Sequence, residues 1–340
     1  MRNGFQNMET GLSVLAEFFK DKDNFLLLSH ENPDGDALGS MLALGRGLAS
    51  RGKSVTMFNS DGVPSLYGFL PGSEQVTDRM GPVDTYEAAV LLDCHELARV
   101  GDKAFAAASI PALAILDHHE AQGTVRGDVV LIDPAVSAVG EMVYRLLVEM
   151  NIPVSPHMAV NLFTAISTDT GSFNYGNTTA ESLETAGQLV RLGASPINIY
   201  RELEMNVPPE RLNLLSRALS NVEYHHQGRV GAMTVSQEMM SASGVTAEAT
   251  EGLVNYPRSV RGVELAFLLT EDADGACHVS LRSRGRMDAA SLAESFGGGG
   301  HHDAAGFTKK GSVEEVKKLV LEAAVQLLPV DGIEEGVYEA

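Results

Sequence analysis

The chain has 340 residues, 44% hydrophobic and 21% charged, with 25 lysines and arginines against 45 aspartates and glutamates. That is globular composition with length enough for two domains, and a net charge of −20 works against gripping long nucleic acid, leaving a compact anionic substrate open if cations are concentrated at one site. Two cysteines, Cys94 and Cys277, exclude a disulfide framework, and no apolar run approaches the ~18 residues of a membrane span. Residues 1–10 are polar and mixed, without the apolar core of a signal peptide. The expectation is a soluble, cytoplasmic protein with no membrane partner.

In chain order, residues 25–29, 54–59, 87–94, 112–117 and 129–133 are short apolar runs that predict buried strands, and residues 37–50, 140–150 and 157–167 predict helices. Such alternation predicts an α/β fold: an N-terminal, mostly parallel sheet flanked by helices on both faces, with ligands at the carboxyl ends of the strands. Residues 178–192 and 196–220 predict helices, broken by Gly193 and by Pro208-Pro209. They divide the chain into a first domain over 1–192, a helical linker over 193–220 and a smaller α/β domain with a mixed sheet over 221–340. In the last, strands are expected at 222–227, 229–236, 262–270 and 276–282, and helices at 246–256, 288–296 and 312–328.

Four segments of the first half end in groups suited to metals. His30-Glu-Asn-Pro-Asp34-Gly-Asp36 follows the first strand, and Pro33 and Gly35 turn the chain through a carboxylate-rich loop into a helix. Taken alone, it reads equally well as a turn with Asp36 capping the helix. Asp93 closes Ala88-Ala-Val-Leu-Leu, where a carboxylate must be solvated, paired or metal-bound. Asp117-His118-His119 closes Ala112-Leu-Ala-Ile-Leu, and two adjacent imidazoles at a strand mouth have no packing rationale. Asp169 ends an apolar helix just before Gly171, a position a C-cap would also explain. Together these place at least four carboxylates and two histidines around one crevice. So many buried anions require compensating cations. Two divalent ions are the economical solution, and an oxygen-rich set with a few imidazoles and no thiolate suits manganese, with magnesium or cobalt as alternatives, better than structural zinc.

In the second half, Gly297-Gly-Gly-Gly300-His301-His302 exposes backbone amides of the kind that bind phosphate or carboxylate, with a helix expected to begin just after it. Just upstream, Arg282, Arg284 and Arg286 concentrate positive charge in a chain short of it, and strand alternation would send all three to one side. His95, His157, His225, His226 and His278 have no partner pattern and read as surface or polar-edge residues, His95 being notable only for standing two places past Asp93.

His30-x3-Asp34-x-Asp36, Asp93, Asp117-His118-His119 and Asp169 resemble, in order, the four motifs of the DHH phosphoesterase superfamily. Arg282-Ser283 with Gly298-Gly-Gly300-His301-x-x-Ala304-Ala-Gly306 resembles its associated C-terminal domain. The resemblance covers essentially the whole chain. It implies a dinuclear site in which one ion takes His30, Asp34 and Asp93, the other takes Asp36, Asp93, His118 and Asp169, and Asp93 bridges. It further implies catalytic roles for Asp93, for His119 at the substrate phosphate or leaving group, and for Asp117 orienting the histidines. Arg282, Ser283, Gly298, Gly299, Gly300 and His301 would bind substrate. One departure concerns the segment after Asp133-Pro134, where Ser137-Ala138-Val139 keeps a single hydroxyl in place of the family's several.

The compact two-domain layout resembles enzymes that degrade oligoribonucleotides of two to five nucleotides to mononucleotides and dephosphorylate 3′-phosphoadenosine 5′-phosphate (pAp). Alternatives are a phosphodiesterase acting on cyclic di-AMP or pApA, and a catalytically silent nucleotide sensor. The glycine loop argues against manganese-dependent pyrophosphatases, and the charge and length argue against exonucleases acting on long strands. The expected partners are short oligonucleotides or small nucleotides, with a homodimer compatible with the family's layout. The crevice between the domains is the expected active site.

Overall fold

The computed structural model describes residues 8–101, 103–121, 125–273 and 275–328. Residues 1–7 and 329–340, the outer ends of the two expected domains, lie outside the described residues. The chain divides into two compact units, one ending at Asn206 and the next beginning at Val207.

The first unit runs α1 (Met8–Lys20), β1 (Asn24–Leu28), α2 (Gly35–Ser50), β2 (Ser54–Phe58), β3 (Val76–Thr77), β4 (Ala88–Leu92), α3 (Ala104–Ala107), β5 (Leu113–Asp117), β6 (Val129–Ile132), α4 (Val139–Glu149), α5 (Pro156–Asp169), α6 (Ala180–Arg191) and α7 (Pro196–Glu204). Its six strands pair in parallel in the order β3-β2-β1-β4-β5-β6. Successive residues point to opposite faces, and both faces are covered. Phe25, Leu27, Val90 and Leu116 enter one core with α2, α4 and α5, while Leu26, Leu28, Leu91 and Ile115 enter a second core on the other side. Burial on both faces is why these strands are apolar without interruption. The chain winds outward from β1 to β3, then returns to the opposite side of β1 at β4. A crevice opens beyond the carboxyl ends of β1 and β4, where connections leave in opposite directions.

The helices behind this edge pack closely. A Cβ at Gly39 of α2 would stand 2.4 Å from the Asn161 carbonyl oxygen of α5, and one at Gly140 of α4 would stand 2.7 Å from Ala165 Cβ. These glycines let three helix axes approach at the level where Asp36 and Asp169 emerge.

The second unit runs α8 (Pro209–Leu219), β7 (Glu223–His225), β8 (Val230–Val235), α9 (Gln237–Ser243), α10 (Asn255–Arg258), β9 (Leu265–Glu271), β10 (Ala276–Ser283), α11 (Ala289–Glu294), β11 (Gly299–His301), β12 (Ala304–Lys310) and α12 (Val313–Leu327). Its sheet has the order β11-β12-β10-β9-β8-β7 and is mixed, with β8 and β9 parallel and the other pairs antiparallel. Among the described residues, no helix is long and apolar enough to cross a membrane.

The α/β class and both sheet types agree with the sequence reading, and four expectations are corrected. The residues expected as a linker are shared out: Ile199 of α7 joins the core of the first unit, and Leu214 and Ala218 of α8 join a core of the second. The helix expected at 246–256 is a short 3-10 turn (Ala247–Thr250) and the single-turn α10, separated by Gly252 at φ +74°. No helix begins directly after the glycine run. It forms a β-hairpin, because Gly299, Gly300 and His301 pair with Gly306, Ala305 and Ala304. Finally, β10 ends at Ser283 and Gly285 has φ +84°, so alternation does not carry Arg284 and Arg286 to the side of Arg282. Arg286 instead lies 3.9 Å from Glu264.

Candidate metal centre

The segment from Ser29 to Asp36 leaves β1 and becomes α2. Asp34, not Asp36, caps the helix: its Oδ1 accepts from the amides of Asp36 and Ala37, both at 3.0 Å. Asp36 is thereby free for a longer-range task. Its carboxylate accepts from Val139 N at 2.6 Å, Gly140 N at 2.8 Å and Ser40 Oγ at 3.0 Å. The cap residue of α4, Ala138, has no side chain to offer, so Asp36 supplies the acceptor for the first turn of that helix.

Asp93 follows β4 with φ +60°, a left-handed conformation that aspartate tolerates better than most residues. One oxygen lies 3.4 Å from His30 Nε2 and the other 3.4 Å from His118 Nε2. The latter, Oδ1, is buried and takes no hydrogen bond among the described residues. The two imidazoles are oriented from behind. His30 Nδ1 donates to Glu31 O at 2.7 Å and His118 Nδ1 to Val136 O at 3.1 Å, which leaves Nε2 of each facing the carboxylates. His118 Nε2 is also 3.6 Å from Asp169 and 3.9 Å from Asp36.

Two of the clusters that these donor atoms form are His30-Asp34-Asp93 and Asp36-His118-Asp169, each with all its atoms within 4.8 Å of one another; Asp93, Asp117 and His119 form another. Asp93 faces both of the first two. Ligands on one octahedral ion at ~2.1 Å stand ~3 Å apart when adjacent, so these spacings fit a shared cation. The orphaned oxygen of Asp93 and the all oxygen-and-imidazole composition fit as well. Cys94, next in sequence, sits by the Leu92 carbonyl instead.

Electrostatics make the same point. Burial works against charge on His30, but Asp93 and Asp34 overcome it and hold the imidazole up at about 9. Burial, aided by Asp34 and Asp93 and opposed by His118, raises Asp169 to about 7. Burial and then Asp93 raise Asp34 and Asp36 too. Burial also opposes ionisation of Asp93, yet His118 and His30 outweigh it and keep that carboxyl well below the usual range. Without metal, the cluster is tolerable only by retaining protons, and divalent cations would take their place.

Asp117 is fully buried. Its Oδ1 accepts from His118 N at 2.8 Å, His119 N at 3.2 Å and His119 Nδ1 at 2.7 Å. Its Oδ2 is hydrogen-bonded by His95 Nδ1. In the sequence His95 stands out from the other remaining histidines by one signal, its place two residues after Asp93. Two other neighbours join the centre, of which Asn177 has no signal in the sequence. Asn177 Nδ2 donates to the Asp169 carbonyl at 3.1 Å, and the lone hydroxyl of the 137–139 segment, Ser137, donates to Asn177 O at 2.6 Å.

In the second unit, β10 pairs Arg282 with Ala304 of β12, beside the glycine hairpin. A Cβ at Gly298 would meet Gly306 O at 2.2 Å and one at Gly300 would meet Ala304 O at 2.5 Å, so backbone packing demands both glycines. A Cβ at Gly299 would meet nothing within 4 Å. Ser283 is buried and donates to Asp303 Oδ1 at 2.8 Å, while Ser283 N bonds Asp303 O at 2.9 Å. Asp303, unremarked in the sequence, therefore pins the hairpin tip to the end of β10. His301 lies at the exposed end of β11.

A parallel sheet gathering carboxylates and imidazoles at its carboxyl edge defines an α/β protein able to hold divalent cations, joined in one chain to a mixed-sheet unit with a glycine hairpin. Residues 24–166 match the N-terminal domain of the DHH family and residues 231–328 match the DHHA1 domain. The chain belongs to the DHH family. It is similar to the bifunctional oligoribonuclease and PAP phosphatase NrnA of Thermus thermophilus, with 31% identity over 92% of this chain and 93% of that protein. It is also similar to the protein of the same description from Bacillus subtilis, with 27% identity over 84% and 88%. Among solved structures, an exopolyphosphatase-related protein from Bacteroides fragilis superposes with a TM-score of 0.88 at 27% identity, covering 94% of this chain and 96% of that one.

Proposed function

We propose that this protein is a metal-dependent phosphoesterase that hydrolyses oligoribonucleotides of two to five residues to mononucleotides and removes the 3′-phosphate of pAp. The observation that carries this reading is Asp93, whose two oxygens face two separate donor groups at 3.4 Å each. The relatives described as oligoribonuclease and PAP phosphatase support the substrate class. The charge of −20 favours short substrates, since a long polyanion would be repelled.

His30, Asp34 and Asp93 would hold one ion, and Asp36, Asp93, His118 and Asp169 the other, manganese being the first choice. Two such ions, when bound, acidify water and neutralise charge on the phosphoryl oxygens. The remaining work falls to the protein. Water attacks phosphorus in line and the bond to the leaving oxygen breaks. His119, its Nδ1–H held by Asp117, acts as the imidazolium: it gives its Nε2 proton to that oxygen and is left as the neutral Nδ1–H ring. Arg282, the backbone of Gly298, Gly299 and Gly300, and His301 bind the nucleotide phosphate, the Gly298 amide itself being turned to the Ala293 carbonyl at 2.9 Å. Ser283 serves by anchoring Asp303 and with it the hairpin. Two buried free thiols fit a reducing cytoplasm.

The test is product release with added manganese across pAp, pApA, cyclic di-AMP, a pentanucleotide, a 24-nucleotide RNA and pyrophosphate, resolved by ion exchange. Mononucleotides from the short oligomers and phosphate from pAp support the reading. Cleavage confined to the diadenylates would replace it with second-messenger turnover. Silence on all six with metal bound would make the protein a sensor.

A further inference from the structure

Beside the metal centre, His95 has an engagement that neither the ligand set nor the family's motifs explain. It leaves the turn after Asp93 and is 14% exposed, at the rim of the site, while the carboxylate it meets is completely buried. Asp117 sits between two imidazoles. Its Oδ1 takes His119 Nδ1 at 2.7 Å together with the amides of His118 and His119, and its Oδ2 takes His95 Nδ1.

The geometry of donors on this carboxylate decides what His95 does. With three donors on one oxygen, the carboxyl group could still swing about its Cβ–Cγ bond and trade oxygens between them. A fourth donor on the opposite oxygen removes that freedom. We propose that His95 is a positioning residue for the reaction: by occupying Oδ2 of Asp117 it fixes the carboxylate plane, and thereby the ring orientation of His119, with Nδ1–H kept on Asp117 and Nε2 left as the nitrogen that carries the transferable proton. His119 then meets the leaving oxygen with its remaining nitrogen, in the way that a buried carboxylate holds a catalytic imidazole elsewhere. The proposal rests on the reading of His119 as proton donor, but the geometry it invokes exists before any substrate or metal arrives.

The position of His95 also explains why it can act without touching the ligands. Asp93 N bonds Leu116 O at 3.0 Å, tying the end of β4 to β5, so the turn after Asp93 runs beside the residue that follows Leu116. Removing the imidazole leaves Oδ2 buried without its donor and lets His119 rotate. The two donor groups around Asp93 keep all their members.

The experiment compares His95→Leu with His95→Asn, whose Nδ2 can stand near the place of Nδ1. In the manganese-loaded enzyme, His95→Leu should lower kcat by about 10- to 100-fold, the usual range for residues that orient a ligand or catalyst from behind. KM and manganese stoichiometry should hold, and His95→Asn should recover most of kcat. In the metal-free protein, long-range 1H–15N correlation spectra should show His119 as a single Nδ1–H tautomer in the wild type and in His95→Asn, and as a tautomer mixture in His95→Leu. Unchanged kcat in His95→Leu, a loss that Asn does not recover, or an unaltered His119 tautomer overturns the proposal. Because the tautomer is read without substrate, it separates failure of this inference from failure of the phosphoesterase reading, which would appear as wild-type silence on the substrate panel.

Discussion

Replacing Gly39 with alanine sets two opposing effects against each other. In the interior of an exposed helix, alanine is favoured over glycine by about 1 kcal/mol. At Gly39 the added Cβ would stand 2.4 Å from the Asn161 carbonyl oxygen and 3.1 Å from Ala165 Cβ, whereas ordinary carbon contacts lie near ~3.5–4 Å. Backbone on α5 cannot rotate out of the way, so α2 and α5 must part by about 1 Å, and overpacking of this kind costs ~1–3 kcal/mol. The clash outweighs the propensity gain, with a net loss of up to about 2 kcal/mol. In a unit of this size that lowers the melting temperature by up to ~8 °C. The displacement also reaches the site, because Asp36 lies one turn from Gly39 on α2 and Asp169 one turn from Ala165 on α5. Manganese affinity should fall by about tenfold, as it does when a ligand's support is disturbed. The control is Gly187→Ala on α6, where the Cβ meets nothing within 4 Å. There the propensity term stands alone, and the melting temperature should rise by up to ~4 °C. Differential scanning calorimetry with and without manganese, plus titration calorimetry of manganese, reads both effects. If Gly39→Ala melted at or above the wild type and bound manganese normally, close helix packing would not be what aligns Asp36 and Asp169.

Three further predictions address the centre and the hairpin. Asp93→Asn, which keeps a residue tolerant of φ +60°, should abolish turnover and reduce bound manganese below two ions per chain by plasma emission analysis, with an unchanged circular dichroism spectrum; full occupancy would remove Asp93 from the bridging role proposed for it. The pH dependence of the metal-free protein follows from His30 at about 9 against 6.5 unfolded and Asp169 at about 7 against 3.8. Both groups bind protons more tightly when folded, so their stabilisation is complete below the unfolded values and is lost as pH rises through the folded ones. The melting temperature should therefore decline between about pH 4 and pH 9 without metal, manganese should restore most at the alkaline end, and its binding near neutral pH should release protons to the buffer; a flat metal-free profile would contradict the proton inventory. Gly299→Ala should leave the melting temperature within about 2 °C of wild type, since its Cβ would meet nothing within 4 Å, while raising KM for pAp if the proposed phosphate site lies there. Gly298→Ala should lose stability outright because Gly306 O blocks its Cβ, and equal melting losses for both variants would mean that packing selected all the glycines.

Legibility in the sequence followed burial. The five principal strands of the first unit were read within a residue or two because apolar side chains fill both faces, as in Phe25–Leu28 and Ala88–Leu92. Asp93, Asp117 and His118 were conspicuous because a polar group closing such a run has few explanations. Elements at the margins were less visible. Helix α1 buries only one side through Leu12, Leu15, Phe18 and Phe19, and α9 is seven residues long. The β11–β12 hairpin was hidden because glycines carry no alternation of polarity, so a strand of Gly299, Gly300 and His301 looks like a loop.

The order of residue types along the chain determined that this protein would build a covered parallel sheet and place a surplus of carboxylates and imidazoles at its carboxyl edge. Which groups meet was decided by contacts between residues far apart in sequence. Asp36 finds its amide donors 103 and 104 residues later, and His95 meets Asp117 only because β4 and β5 are neighbours. A hydrogen bond depends on ångström-scale separation and angle, and only the packed sheet and its glycine-spaced helices bring such distant atoms within that range.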